Sequence, residues 1–199
     1  MAESLAIIDG GGANIASLTF ALQRLGIKAE LTTDKSVIGN ADRVILPGVG
    51  AAADAMQRLK NADLVQFIKE LQQPVLGICL GMQLMFDASE EEDADCLGII
   101  SGTASKFAPA KDRPVPHMGW NKVKQQNDSP LFENIDDDAY FYFVHSFALP
   151  VCDATVGMTD YGKSFTAAAE QNNFVAAQFH PERSGAAGAQ LLRNFISNY

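Results

Sequence analysis

Leu5 to Ile8 is a short apolar run that stops at Asp9 and Gly10-Gly11-Gly12, the pattern of a buried strand entering a tight loop. Ile15, Leu18, Leu22 and Leu25 then recur at helical spacing, and Gly26 ends that helix. Lys28 to Thr32 and Val44-Ile45-Leu46 read as the next strands, the latter cut off by Pro47-Gly48. A helical stretch is expected from about Ala51 to Leu71, broken near Asn61. Pro74 to Ile78 is a fourth buried strand, and Leu80 to Phe86 reads as helix. Strands with apolar runs of this length, interleaved with helices, predict a parallel sheet covered on both faces.

The pattern changes after the acidic run Glu90-Glu91-Glu92-Asp93. From Gly98 onward short strands and turns dominate, the clearest strands being Trp120–Lys124, Tyr140–Val144, Ser164–Glu170 and Phe174–Phe179. A closing helix from about Gly185 carries Leu191, Leu192, Phe195 and Ile196 on one face. No repeat, low-complexity tract or linker divides the chain, so residues 1–199 are read as one α/β domain.

Composition narrows the classes. Of 199 residues, 47% are hydrophobic and 20% charged, enough apolar material for a core without disulfides or a structural metal. The formal net charge of −9 disfavours binding to a nucleic-acid polyanion. Three widely spaced cysteines, Cys79, Cys96 and Cys152, form no C-x-x-C pair, so neither a zinc site nor a disulfide framework is expected. The first residues carry an acid and no basic segment, and no run approaches the roughly 20 apolar residues of a membrane helix. A soluble, cytoplasmic protein that does not engage membranes is the expectation.

Gly77-Ile78-Cys79-Leu80-Gly81 lies between a buried strand and a helix, the thiol form of a nucleophile elbow. The flanking glycines suit a tight turn, and a following helix would favour the thiolate. An isolated intracellular cysteine is usually an inert core residue, which is the reading for Cys96 and Cys152. A nucleophilic thiol needs a base. His180 follows an apolar strand in Gln178-Phe179-His180-Pro181-Glu182, where Glu182 can turn back and hold the imidazole. Pro47-Gly48-Val49-Gly50, also after a strand, can offer backbone N–H groups to an oxyanion. It lacks the phosphate-loop pattern, and Gly10-Gly11-Gly12 lacks the dinucleotide spacing.

Taken in order, Pro-Gly-Val-Gly at 47–50, Gly-Ile-Cys-Leu-Gly-Met-Gln at 77–83 and Gln-Phe-His-Pro-Glu at 178–182 resemble the triad-type class I glutamine amidotransferases. The resemblance runs from Asp9 to the last helix. It implies an open mixed, mainly parallel sheet with helices on both faces. It implies Cys79 as nucleophile on glutamine, His180 as acid and base, and Glu182 as its orienting partner. Backbone near Val49 and at Leu80 would hold the oxyanion, and Gly50, Gln83 and the Val144, His145 and Ser146 segment would seat glutamine. No cofactor and no metal are implied.

Two further segments, Pro116-His117-Met118-Gly119-Trp120-Asn121 and Tyr142-Phe143-Val144-His145-Ser146-Phe147, resemble one branch of that family. In that branch the chain forms a heterodimer with a (β/α)8-barrel cyclase, to which it passes ammonia for histidine biosynthesis. Asn14, Trp120 and Asn121 would then face the partner. The first loop reads Asp9-Gly10-Gly11-Gly12-Ala13-Asn14 where the branch has an aromatic and a further glycine, and Phe147 stands where Tyr is common.

Other readings compete. A lone Trp120 in a strand is by default a core residue, and His117 and His145 are by default structural. The aromatic run Tyr140 to Phe147 reads as core, and the acidic runs at 90–93 and 136–138 read as solvated loops with no metal-ligand spacing. The same chemistry could serve purine or aminobenzoate synthesis, against which the 116–121 segment argues. A thiol peptidase or hydrolase, and a non-catalytic binding module of the same fold, are the remaining alternatives.

Overall fold

The computed structural model describes residues 4–10 and 15–199. The short apolar runs of the first half are parallel strands: β1 (Leu5–Ile8), β2 (Ala29–Thr32), β3 (Arg43–Gly48) and β4 (Val75–Cys79). The last strand of the chain, β13 (Phe174–Ala177), pairs parallel with β4. Between them run α1 (Ile15–Arg24), α2 (Lys35–Asn40), α3 (Ala52–Asn61), α4 (Val65–Lys69) and α5 (Leu80–Met85). The expected long helix is thus broken, with residues 62–64 separating α3 from α4 and Asp63 at φ 55°.

Helix α2 escapes the periodicity reading because only Ile38 is buried in it and Gly39 and Asn40 are poor helix formers. It is held by its cap: the Asp34 carboxylate accepts a hydrogen bond from the Ser36 N–H at 2.7 Å.

The second half folds as β5 (Phe86–Ser89), β6 (Ala94–Asp95), β7 (Ile100–Lys106), β8 (His117–Gln125), β9 (Ala139–His145), β10 (Phe147–Ala148), β11 (Thr155–Asp160) and β12 (Ser164–Gln171). After β13 the chain closes with α6 (Gly185–Asn198). The main sheet has nine strands in the order β2-β1-β3-β4-β13-β12-β11-β8-β9. Its parallel part is β2 to β13, and from β13 to β9 every pairing is antiparallel, so the mixed sheet divides evenly. A second sheet, β10-β7-β5-β6, flanks it. Its strands are short or, like Ile100–Lys106, largely polar, which is why the sequence pattern does not mark them.

Period-2 alternation sorts the strand residues onto two cores. Leu5, Ile7, Ile45, Leu76 and Ile78 pack on one face with Leu18 and Leu22 of α1 and Leu191, Leu192 and Phe195 of α6. Ala6, Ile8, Val44, Leu46 and Val75 pack on the other with Met56, Leu59 and Ile68 of α3 and α4. Helices therefore cover both faces. The aromatic run of β9 splits by the same rule: Phe141 and Phe143 are buried, whereas Tyr140 is 53% exposed. Trp120 is 55% exposed and so is not a core residue.

Candidate functional site

Cys79 ends β4, and α5 begins at the next residue. Its backbone sits at φ 55°, ψ −109°, a conformation a non-glycine residue adopts only when its surroundings force it. Gly81 supplies part of the force. A Cβ there would lie 1.8 Å from the Leu46 carbonyl oxygen, so only glycine lets α5 pass this close to β3. A Cβ at Gly77 would press to 2.9 Å on the Gly81 carbonyl and on Met85. Both glycines of the motif are therefore required by contact.

His180 follows β13 and lies beside Cys79 because β13 pairs with β4. Its Nδ1 is 2.8 Å from Glu182 Oε1, and both side chains are almost wholly buried. The Ser184 hydroxyl donates to the His180 carbonyl at 2.7 Å, and the His180 N–H donates to the Tyr142 carbonyl at 2.9 Å, so the loop is fixed at both ends. Burial pushes the imidazole down, but its hydrogen bonds with Cys79 and Glu182 and their negative charge outweigh burial and raise it to about 10. The imidazolium form that this environment favours is the partner a thiolate needs. Cys96 is different: burial, then Asp95, push its thiol up to about 11, which makes it a poor nucleophile.

A cavity of about 420 Å³ opens over Cys79. Val49, Gly50, Leu80, Gln83, Val144, His145 and Ser146, the residues expected to seat glutamine and its oxyanion, all line it with Cys79 and His180. Gly50 stands at φ 97°. The Cys79 thiol is 3.9 Å from the Val144 carbonyl. The structure also brings in Glu91, which by sequence belongs to a solvated acidic loop. Its Oε2 accepts a hydrogen bond from the Ala52 N–H at 2.9 Å, and burial raises its carboxyl above the ordinary value. Nothing in the run 90–93 distinguishes Glu91 by type; the fold alone turns it inward.

Of the residues expected to face a partner, Asn14 lies outside the described residues. Trp120 projects outward on β8 beside Met118, which is 62% exposed, opposite Tyr142 and Val144 of β9. Asn121 alternates to the inner face, where its amide nitrogen donates to the Asp160 carbonyl at 2.9 Å. Among the described residues no cluster of three or more His, Cys, Asp or Glu is placed to hold a metal.

The family model for class-I glutamine amidotransferases matches residues 6–198 of the chain. The chain belongs to the class-I glutamine amidotransferase family. Within it, the sequence is 47% identical to the imidazole glycerol phosphate synthase subunit HisH of Vibrio cholerae, over 98% of this chain and 99% of that protein. It is 52% identical to the HisH subunit of Pasteurella multocida, over 98% of each. The fold is similar to that of a crystallised glutamine amidotransferase, with a TM-score of 0.74 at 16% identity, covering 96% of each chain. It is also similar to PurLQS from Thermotoga maritima, with a TM-score of 0.71 at 19% identity, covering 100% and 99% of the two chains.

This amidotransferase is an enzyme, and the family's chemistry is the release of the amide nitrogen of glutamine. No helix of its described residues is long and apolar enough to cross a membrane.

Proposed function

We propose that this amidotransferase is the cytoplasmic glutaminase subunit of an imidazole glycerol phosphate synthase, acting in histidine biosynthesis through Cys79, His180 and Glu182. The observation that carries the reading is the buried His180–Glu182 pair at 2.8 Å, set against a strained cysteine that lines a cavity of about 420 Å³.

The Cys79 sulfur adds to the side-chain amide carbon of glutamine, and the carbonyl oxygen takes the negative charge. Val49, Gly50 and Leu80 line the cavity, and their backbone N–H groups are the donors this reading assigns to that oxygen. The carbon–nitrogen bond then breaks. His180 gives its Nε2 proton to the leaving nitrogen, which departs as ammonia. A water enters, His180 takes its proton, and the hydroxide attacks the thioester. The carbon–sulfur bond breaks, Cys79 is restored, and glutamate leaves. Glu182 holds the imidazole in the tautomer that keeps Nε2 towards the sulfur. Glu91, the acid among the cavity-lining residues, supplies a carboxylate for the α-ammonium group of glutamine.

The partner in this reading is a (β/α)8-barrel cyclase bound as a heterodimer. It takes the ammonia onto a phosphoribosyl nucleotide intermediate, giving imidazole glycerol phosphate and an aminoimidazole carboxamide ribotide. Met118, Trp120 and Tyr140 expose an apolar strip on the outer face of β8 and β9. The strip runs by strand register to Val144 at the cavity wall, so a partner covering it would also cover the mouth of the site.

The test combines the chain with a cyclase partner and its nucleotide substrate. Glutamine should support turnover with Cys79 intact. Cys79→Ser should lose about 10⁴-fold or more of the glutamine-dependent rate, while an ammonium salt restores turnover. A requirement for intact Cys79 in the ammonium-driven reaction would overturn the division of labour.

A further inference from the structure

The site contains a second set of polar side chains outside the Cys79–His180–Glu182 group, and their hydrogen bonds can be assigned in one direction. The Phe147 carbonyl can only accept, so His145 Nδ1, 2.7 Å away, carries the proton. Burial keeps the His145 ring neutral, so its Nε2 is bare and accepts from His117 Nδ1 at 3.0 Å. Neutral His117 then accepts at Nε2 from the Asn121 amide at 3.3 Å. The Asn121 orientation is set independently, since its oxygen accepts from the Lys122 N–H and its nitrogen donates to the Asp160 carbonyl.

The same Phe147 carbonyl takes a second hydrogen bond, from Gln83 Nε2 at 3.0 Å. The other hydrogen on that nitrogen goes to Gln178 Oε1 at 2.9 Å. With its oxygen so engaged, fully buried Gln178 presents its amide N–H to the Cys79 sulfur at 3.8 Å. Every donor from Asn121 to the sulfur is thereby fixed by the next acceptor.

We propose that Gln178 is a further catalytic residue, donating a hydrogen bond to the Cys79 thiolate, and that His117, His145 and Gln83 are positioning residues that keep its amide turned to the sulfur. A donor on sulfur stabilises the anion and not the thiol, so it raises the thiolate fraction. Gln178 needs an anchor because an amide is free to turn over: with oxygen and nitrogen exchanged it would face the thiolate with a lone pair. Gln83 prevents that exchange, and its own orientation depends on the Phe147 carbonyl that His145 pins to the wall of the cavity. The ring pair is itself held by stacking, with His117 4.0 Å from Tyr161 and 5.0 Å from Phe143 by centroids.

The inference rests on Cys79 as nucleophile, and its test keeps the two claims apart. The full chain is treated with iodoacetamide at a series of pH values, and modification of Cys79 is followed by mass spectrometry separately from Cys96 and Cys152. His180, backed by Glu182, is the titratable group facing the sulfur; His145, backed by His117, and Glu91 line the same cavity. Gln178→Met removes the donor without adding charge. It should slow Cys79 modification at neutral pH about tenfold, a shift of about one pH unit in the alkaline direction. Gln178→Glu keeps the acceptor for Gln83 and should also slow it, which covers the case in which Gln178→Met does not fold.

His145→Phe keeps the ring packing and should cost about threefold, the larger part appearing in kcat and not in KM for glutamine. The double variant His145→Phe with Gln178→Met should be no slower than Gln178→Met alone, because His145 acts through Gln178. Wild-type modification rates in both Gln178 variants, or additive losses in the double variant, would overturn the proposal. Absence of fast modification at Cys79 in the wild-type chain would instead overturn Cys79 as nucleophile.

Discussion

The parallel and antiparallel parts of the main sheet meet at β13, beside the strand that ends in Cys79, and each holds its share of the site by different forces. On the parallel side the nucleophile is fixed by backbone contact: a strained φ at Cys79 and glycines at 77 and 81 that leave no room for a Cβ. On the antiparallel side the cavity wall is fixed by side chains, with His117 stacked on Phe143 and Tyr161, His145 packed against Phe107 and Phe165, and the two histidines tied by hydrogen bonds to one another and to Phe147. Steric fixation places one atom accurately and tolerates no added volume. A hydrogen-bonded wall tolerates shape changes better but depends on protonation state. The nucleophile stands on the first kind of support, and its polar surroundings stand on the second.

The largest effects are expected at the seam between the two parts, where His180 follows β13. His180→Ala removes the proton carrier and the imidazolium together, and should lower the glutaminase rate about 10³-fold or more in steady-state assays. Glu182→Gln keeps the volume and a hydrogen bond to Nδ1 but loses the charge that helps raise His180, so a smaller loss of about 10- to 100-fold is expected. Equal losses would mean that the carboxylate takes a proton itself. Survival of activity in His180→Ala would move the base to the antiparallel wall, at His145.

Next in size is the steric side. Gly81→Ala places a methyl group 1.8 Å from the Leu46 carbonyl, and either β3 or α5 must move. The cost should be about 3 kcal/mol in denaturant unfolding, roughly 150-fold in the folding equilibrium, with glutaminase activity lost in the fraction that stays folded. A matching volume change in the other wall, His117→Phe, should cost about 1 kcal/mol, the worth of its hydrogen bonds, since the aromatic ring is preserved. If Gly81→Ala proved the milder substitution, steric fixation would not be what holds the nucleophile.

The same contrast explains which features are legible in the chain alone. The steric side is legible: buried runs such as Val75 to Ile78 and the glycines around Cys79 are short-range signals, because strand, turn and helix are contiguous there. Gln-Phe-His-Pro-Glu is legible for the same reason, the base and its carboxylate lying two residues apart. Helix α2 is not, since its one buried residue and its Asp34 cap make no periodic pattern. Glu91 is not, because four adjacent acids look alike until β5 and α3 turn one of them into the cavity. The link from Asn121 to Gln178 is not, because its partners come from β8, β9, β10, α5 and the residue after β13, and only sheet order brings them together. The resemblance assigns Asn121 to a partner surface, and the inward face of β8 gives it hydrogen bonds within the chain.

The effect that separates the two supports most cleanly is in stability against pH. His117 is pushed down to about 4 by burial, and His145 to about 3 by burial and the neighbouring His117, from the ordinary 6.5. Between about pH 4 and 6.5 the unfolded chain therefore binds a proton at each that the folded chain does not, and stability must fall as pH drops through that window. His180 has the opposite sign. Raised to about 10, it binds a proton in the folded chain that the unfolded chain lacks above 6.5. Its contribution is complete below 6.5 and is lost as pH rises towards 10.

Each histidine tilts stability within its own window, by less than the ideal of about 1.4 kcal/mol per pH unit because solvent screens the charge, so stability should peak near pH 6.5. Urea midpoints measured from about pH 5 to 9 test this. The variant His117→Phe with His145→Phe should flatten the acid limb and leave the alkaline limb unchanged, whereas Glu182→Gln should flatten the alkaline limb alone. An acid limb that persists without the two ring histidines would assign it to carboxylates, and the antiparallel wall would then not be the pH-sensitive support.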